Sequence, residues 1–179
     1  MENTAHALLS AWEAFYVIVG TSAAALTGLQ FVVIALVADA PDVGDADSVA
    51  AFGTPTVVHF CVSLFLAVLI SAPWPGLSPV VWLVFGAGIV GVFYTLIVLR
   101  RARRQARYAP VAEDWIWHVI LPMIAYGTLV AAGITMAFGS DAALFFVGGV
   151  SLLLIYIGIH NAWDSVAYLA VQLRSRRPQ

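Results

Sequence analysis

The sequence contains no lysine. All eight basic residues are arginines, and they fall in two clusters, "LRRARRQAR" (99–107) and "RSRR" (174–177). Charge of either sign is scarce, at 10% of the 179 residues against 62% apolar. A soluble domain carries about 25% charged residues, so a soluble fold this poor in charge would lack the polar residues to cover its surface. There is a single cysteine, Cys61, so no disulfide can form within the chain. No hydrophilic segment exceeds about sixteen residues, and a segment that short cannot bury a core of its own. One domain over residues 1–179 follows.

Charge is absent altogether from four stretches: 14–38, 48–99, 115–140 and 142–163. A helix needs about 20 apolar residues to cross a bilayer. The second stretch is too long for one crossing and is broken by "SAPWPGLSP" (71–79), whose prolines and glycine mark a turn. The expectation is an all-α, polytopic membrane helix bundle with five transmembrane helices near 14–38, 51–71, 79–99, 115–138 and 142–162. An amphipathic helix extension continues over 163–175. Tryptophan prefers the membrane–water interface, and all six tryptophans (Trp12, Trp74, Trp82, Trp115, Trp117, Trp163) stand at or within a turn of a span end.

"ADA" (38–40) has the small-residue spacing of a signal cleavage site. No basic residue precedes the apolar run, however, the run is long, and Pro41 follows at once, so a retained helix is expected. With five spans, both arginine clusters fall on one side. The positive-inside rule puts that side in the cytoplasm, with the N-terminus outside and the C-terminus inside, in a bacterial inner membrane.

"GAGIVG" (86–91) matches a dinucleotide-binding spacing, but it lies within a charge-free span and lacks the acidic residue roughly twenty positions on. Its Gly88 and Gly91 read instead as helix-packing residues, as do Gly20, Ala24 and Gly28 at four-residue spacing in span one. Such stripes also leave surface for self-association, so a homo-oligomer is expected. The loop "DAPDVGDAD" (39–47) is rich in carboxylates, but its spacing does not fit a calcium loop and it reads as solvated. Arg100, Arg101, Arg103, Arg104 and Arg107 fix topology and are placed to attract anionic lipid. Nucleic-acid binding has neither an aromatic platform nor a folded groove to rest on, and no soluble partner is identifiable.

Polar residues within the spans carry the functional question, because such groups face the bundle interior or a water-filled cavity and not lipid. His59 lies roughly 12 Å into span two, with Thr56 and Ser63 on its face. Gln30 lies at similar depth in span one. His118 lies one turn inside span four. His160 lies near the end of span five, with Asp164 one turn on as its expected hydrogen-bond partner. Pro55 and Pro122 each stand four residues from a histidine, and Pro122 is the better candidate kink.

Three readings of this set stay open: interhelical hydrogen bonding, a path for ions, protons or a small solute, and a metal or haem b site using His59, His118 and His160. No Gly-x-Ser-x-Gly run supports nucleophilic catalysis, and no cofactor is expected. The favoured function is channel-like or transporter-like. The alternatives are a haem- or metal-binding electron-transfer protein and a non-catalytic subunit of a larger membrane complex.

Overall fold

The structure, a computed structural model, describes residues 7–38, 46–104 and 112–175. These residues form five helices long and apolar enough to span a membrane, with no strand among them. They are α1 (Glu13–Ala38), α2 (Ala46–Ser71), α3 (Ser78–Arg104), α4 (Ala112–Ala137) and α5 (Ala143–Ser175). The protein is a multi-pass membrane helix bundle. The expected acidic-loop residues Asp39, Asp42 and Asp45 lie outside the described residues, as does Arg107.

Turn chemistry explains where the helices stop. Between α2 and α3, Pro73 and Pro75 withhold backbone donors, and the indole nitrogen of Trp74 donates to the Leu69 carbonyl at 2.7 Å, satisfying an end group of α2. Between α4 and α5, Gly139 takes φ 81°. Its N–H bonds the Met136 carbonyl at 2.9 Å, and the Ser140 N–H bonds the Thr135 carbonyl at 3.1 Å. That paired pattern, with glycine in the left-handed region, is a Schellman cap. It is why only a handful of residues separate two antiparallel spans.

Two span ends differ from the sequence expectation by five residues, and one is that of α3, which runs on to Arg104, past the expected 99. α2 begins at Ala46, five residues before the expected 51, so Pro55 stands inside the helix and not at its start. α5 runs unbroken for 33 residues, so the expected fifth span and the helix extension over 163–175 form one helix, about 50 Å long at 1.5 Å per residue. It therefore crosses a hydrocarbon core of about 30 Å and continues well beyond it. The side chains after Ala167 lie outside the described residues.

The main helix pairs are α3 with α4, α1 with α2, α2 with α5, and α4 with α5; α2 and α3 barely touch although they are consecutive. Between those two lies an apolar groove of about 390 Å³, lined by Val62, Phe65, Leu83, Gly86 and Val90 and floored by Tyr126. α5 is the central helix, with 56% of its apolar window buried, and α1 is the most peripheral, at 17%.

The glycines of the α3–α4 seam explain its closeness. A Cβ on Gly88 would lie 2.6 Å from the Val130 nitrogen, and one on Gly133 would lie 2.7 Å from the Phe85 Cβ. One on Gly91 would collide with the Tyr126 ring. Only hydrogen in place of a side chain lets the two backbones approach this far. The span-one stripe behaves differently. Gly20 packs on α2, where an added Cβ would meet Ala67 at 3.0 Å. Ala24 is exposed, and Gly28 has nothing within reach. The buried face of α1 runs through Tyr16, Val19, Ala23 and Gln30 instead, so the expected packing of Ala24 and Gly28 within the monomer does not occur.

Candidate functional site

The buried polar residues are unevenly placed. Gln30, Thr56, His59, Ser63, Thr95, Ser151 and Asn161 are all nine-tenths buried or more. They lie in the half of the bundle nearer the arginine clusters, or at its middle. The opposite half is filled by Leu66, Leu69, Ile70, Val80, Val84, Leu129, Met136, Leu144 and Val147. A hydroxyl in a helix can satisfy itself by bonding back to a carbonyl one turn earlier. Thr95 does so to Gly91 and Ser151 does so to Val147. Imidazole and carboxamide groups need partners from elsewhere.

His59 is 1% exposed, and its Nδ1 lies 2.9 Å from the hydroxyl of Tyr126 on α4. Gly91 positions that phenol: the ring fills the space where any side chain at 91 would stand. One turn along α2, the Ser63 hydroxyl donates to the Ser151 carbonyl of α5 at 2.9 Å. Thus α2 is fastened to α4 through His59 and to α5 through Ser63. Gln30 is 4% exposed on α1. Gly20 and Ala67 meet, and counting ten residues along each antiparallel helix brings Gln30 level with Val57, close to the depth of Thr56 and His59.

A second cluster lies where α4 begins and α5 leaves the lipid. The His160 ring stacks on Trp117, with centroids 3.8 Å apart and an interplanar angle of 16°. Its Nε2 lies 3.0 Å from Asp164 Oδ2 and 3.8 Å from Glu113 Oε1. Asp164 is therefore the partner expected from the sequence. The contact is off the direction of a ring N–H, so it is an electrostatic contact and not a directed hydrogen bond. His118 Nδ1 lies 3.2 Å from the Asp114 carbonyl. A carbonyl only accepts, so Nδ1 carries the proton there. His118 lies within electrostatic reach of His160 and Asp164 on one side and of His59 on the other.

The backbone under this cluster is unusual. Residues Ile116–Ile120 form a π-helical turn inside α4, with the Leu121 N–H bonding the Ile116 carbonyl five residues back. Pro122, buried at the next turn, has no N–H for the His118 carbonyl four residues earlier, and its ring crowds that carbonyl. The helix widens by one residue to accommodate it, and turns of this kind recur at functional sites.

Other candidates are not brought together. Among the described residues no three His, Cys, Asp or Glu side chains gather in a way that could hold a metal ion. His59, His118 and His160 are spread along the bundle and do not surround one point. Cys61 is exposed on the face of α2 away from His59. Arg100, Arg101 and Arg103 are exposed at the end of α3, and the Arg104 side chain lies outside the described residues.

Sequence reasoning missed Tyr126 and Asn161. A tyrosine deep in an apolar span needs a partner for its hydroxyl, and Asn161 meets the criterion that singled out Gln30. Compared with known protein families, curated proteins and solved structures, the chain matches none.

Proposed function

We propose that this chain is a proton-handling membrane protein of the transporter or channel kind. The observation that carries the proposal is His59, an imidazole sealed within the bundle and bonded to a phenol from another helix. Histidine is the side chain suited to taking and giving protons near neutral pH, and ionisable groups at such depth mark ion paths and proton relays. Glu113, Asp164 and His160 would receive protons from water at the arginine end, and His118 would link them to the His59–Tyr126 pair. By the positive-inside rule that end faces the cytoplasm. The opposite half is closed by apolar packing, so release on that side requires helices to part, and the π-helical turn before Pro122 is the natural hinge.

Proteoliposomes loaded with a pH-sensitive dye test the proposal across about pH 5 to 8. The parent protein is expected to dissipate an imposed proton gradient faster than empty vesicles, and His59→Ala is expected to return the rate to the empty-vesicle level. A parent rate equal to that of empty vesicles, or an unaltered rate in His59→Ala, sinks the proposal.

A further inference from the structure

Asn161 is 2% exposed, and neither its Nδ2 nor its Oδ1 has a hydrogen-bond partner among the described residues. The same holds for His59 Nε2, the ring nitrogen that faces away from Tyr126. A buried amide with neither donor nor acceptor bonded is rare and costly. Exchanging the amide oxygen and nitrogen would not help, since both are unpartnered.

Helix geometry brings these two groups to one place. On α5, Gly158 faces α2, because the Phe60 ring fills the position of its missing side chain. His160 faces α4, because its ring stacks on Trp117. At about 100° per residue, Asn161 lies about 60° from Gly158 and about 100° from His160. It therefore points between α2 and α4, into the junction of the three helices. His59 occupies that junction from α2, adjoining Phe60 and bonded to Tyr126 of α4. With Phe60 and Gly158 level, His59 and Asn161 differ in depth by about 3 Å.

We propose that Asn161 and His59 line one hydrogen-bonding cell at the α2–α4–α5 junction, and that this cell binds water. A carboxamide offers donors and an acceptor, and the imidazole nitrogen offers either according to its tautomer. Such a set suits a neutral guest that both donates and accepts. The carboxylates among the described residues that adjoin this region (Glu113, Asp114, Asp164) stand nearer the helix ends, so the junction itself has no charge to hold an ion. A buried water makes about three hydrogen bonds to groups otherwise unsatisfied. As a step in the path from His160 and His118 to His59, the cell rests on the proton-handling reading; as a water site it stands alone.

Hydrogen–deuterium exchange at the imidazole C2 position, read by mass spectrometry on the whole protein in lipid nanodiscs, tests the cell. His59 is expected to exchange in the parent. Asn161→Leu is expected to slow His59 by roughly two- to tenfold, the factor that loss of one hydrogen bond to the guest carries, while His160 exchanges as before. Asn161→Ser, which keeps a hydrogen-bonding group, is expected to retain the exchange. Absence of His59 exchange in the parent, or an undiminished rate in Asn161→Leu, overturns the cell. Exchange lost in Asn161→Leu while parent vesicles carry no proton flux supports the cell and removes the proton-handling reading. Flux without His59 exchange does the reverse.

Discussion

At the scale of single residues, the His59–Tyr126 bond is the interhelical contact whose removal is cleanest to interpret. Tyr126→Phe keeps the ring against Gly91 and deletes only the hydroxyl. His59 Nδ1 then loses its partner from α4. Interhelical hydrogen bonds in membranes contribute about 0.6–1.7 kcal/mol, so a loss of stability in that range is expected by denaturant titration in mixed micelles. A loss near zero means that the phenol hydroxyl is bonded elsewhere and that His59 is held by packing alone. Part of this was open to sequence reasoning. An imidazole eight residues into a charge-free span announces itself; its partner does not, because nothing local in the sequence pairs residue 59 with residue 126.

At the scale of elements, the glycines sort by what faces them and not by their spacing. Gly91 lies under Tyr126 and Gly88 under the backbone of Leu129 and Val130, whereas Gly86 lines the open groove and has nothing within reach. Gly91→Ala is expected to cost about 1–3 kcal/mol through overpacking and to push Tyr126 off His59. Gly86→Ala, whose Cβ would meet nothing within 4 Å, is expected to stay within about 0.5 kcal/mol of the parent. Thermal unfolding of the two variants side by side checks this, and equal melting temperatures would contradict the placement of the seam. α4 shows the other element-level effect. Pro122 was recognisable as a kink former, but its outcome was a widened turn over Ile116–Ile120. That turn sets the rotation of α4 before the proline, and with it the placement of Trp117 against His160.

At the scale of the whole molecule, the bundle is asymmetric in two ways. Apart from the buried Tyr16 hydroxyl near the start of α1, polar burial lies in the arginine half and the middle, and α1 is peripheral, exposing Val17, Ile18, Leu29, Phe31 and Val32 alongside Ala24 and Gly28. The proposal of a homo-oligomer draws on that outward face of α1. Ala24 is exposed and a Cβ on Gly28 would meet nothing within 4 Å, so replacing both by Leu is expected to change stability by no more than about 0.5 kcal/mol. The native mass in detergent is expected to shift toward the monomer. An unchanged oligomer removes this face as the contact, and a monomeric parent removes the oligomer itself.

The sequence by itself determined the number of spans, their approximate ends and the polar residues they contain. A membrane helix must satisfy its own backbone and match the hydrocarbon thickness, so crossing is a local property, readable from charge-free length and from turn residues such as Pro73, Pro75 and Gly76. Only the tertiary structure decided which face of each helix is inside. Lipid is as apolar as the packed core, so the hydrophobic periodicity that orients a soluble helix is absent here, and Ala23 cannot be told from Ala24 by composition. That is why only the first member of the stripe at Gly20, Ala24 and Gly28 packs against another helix of the bundle. It is also why Tyr126 and Asn161 took on roles only when five helices were brought together.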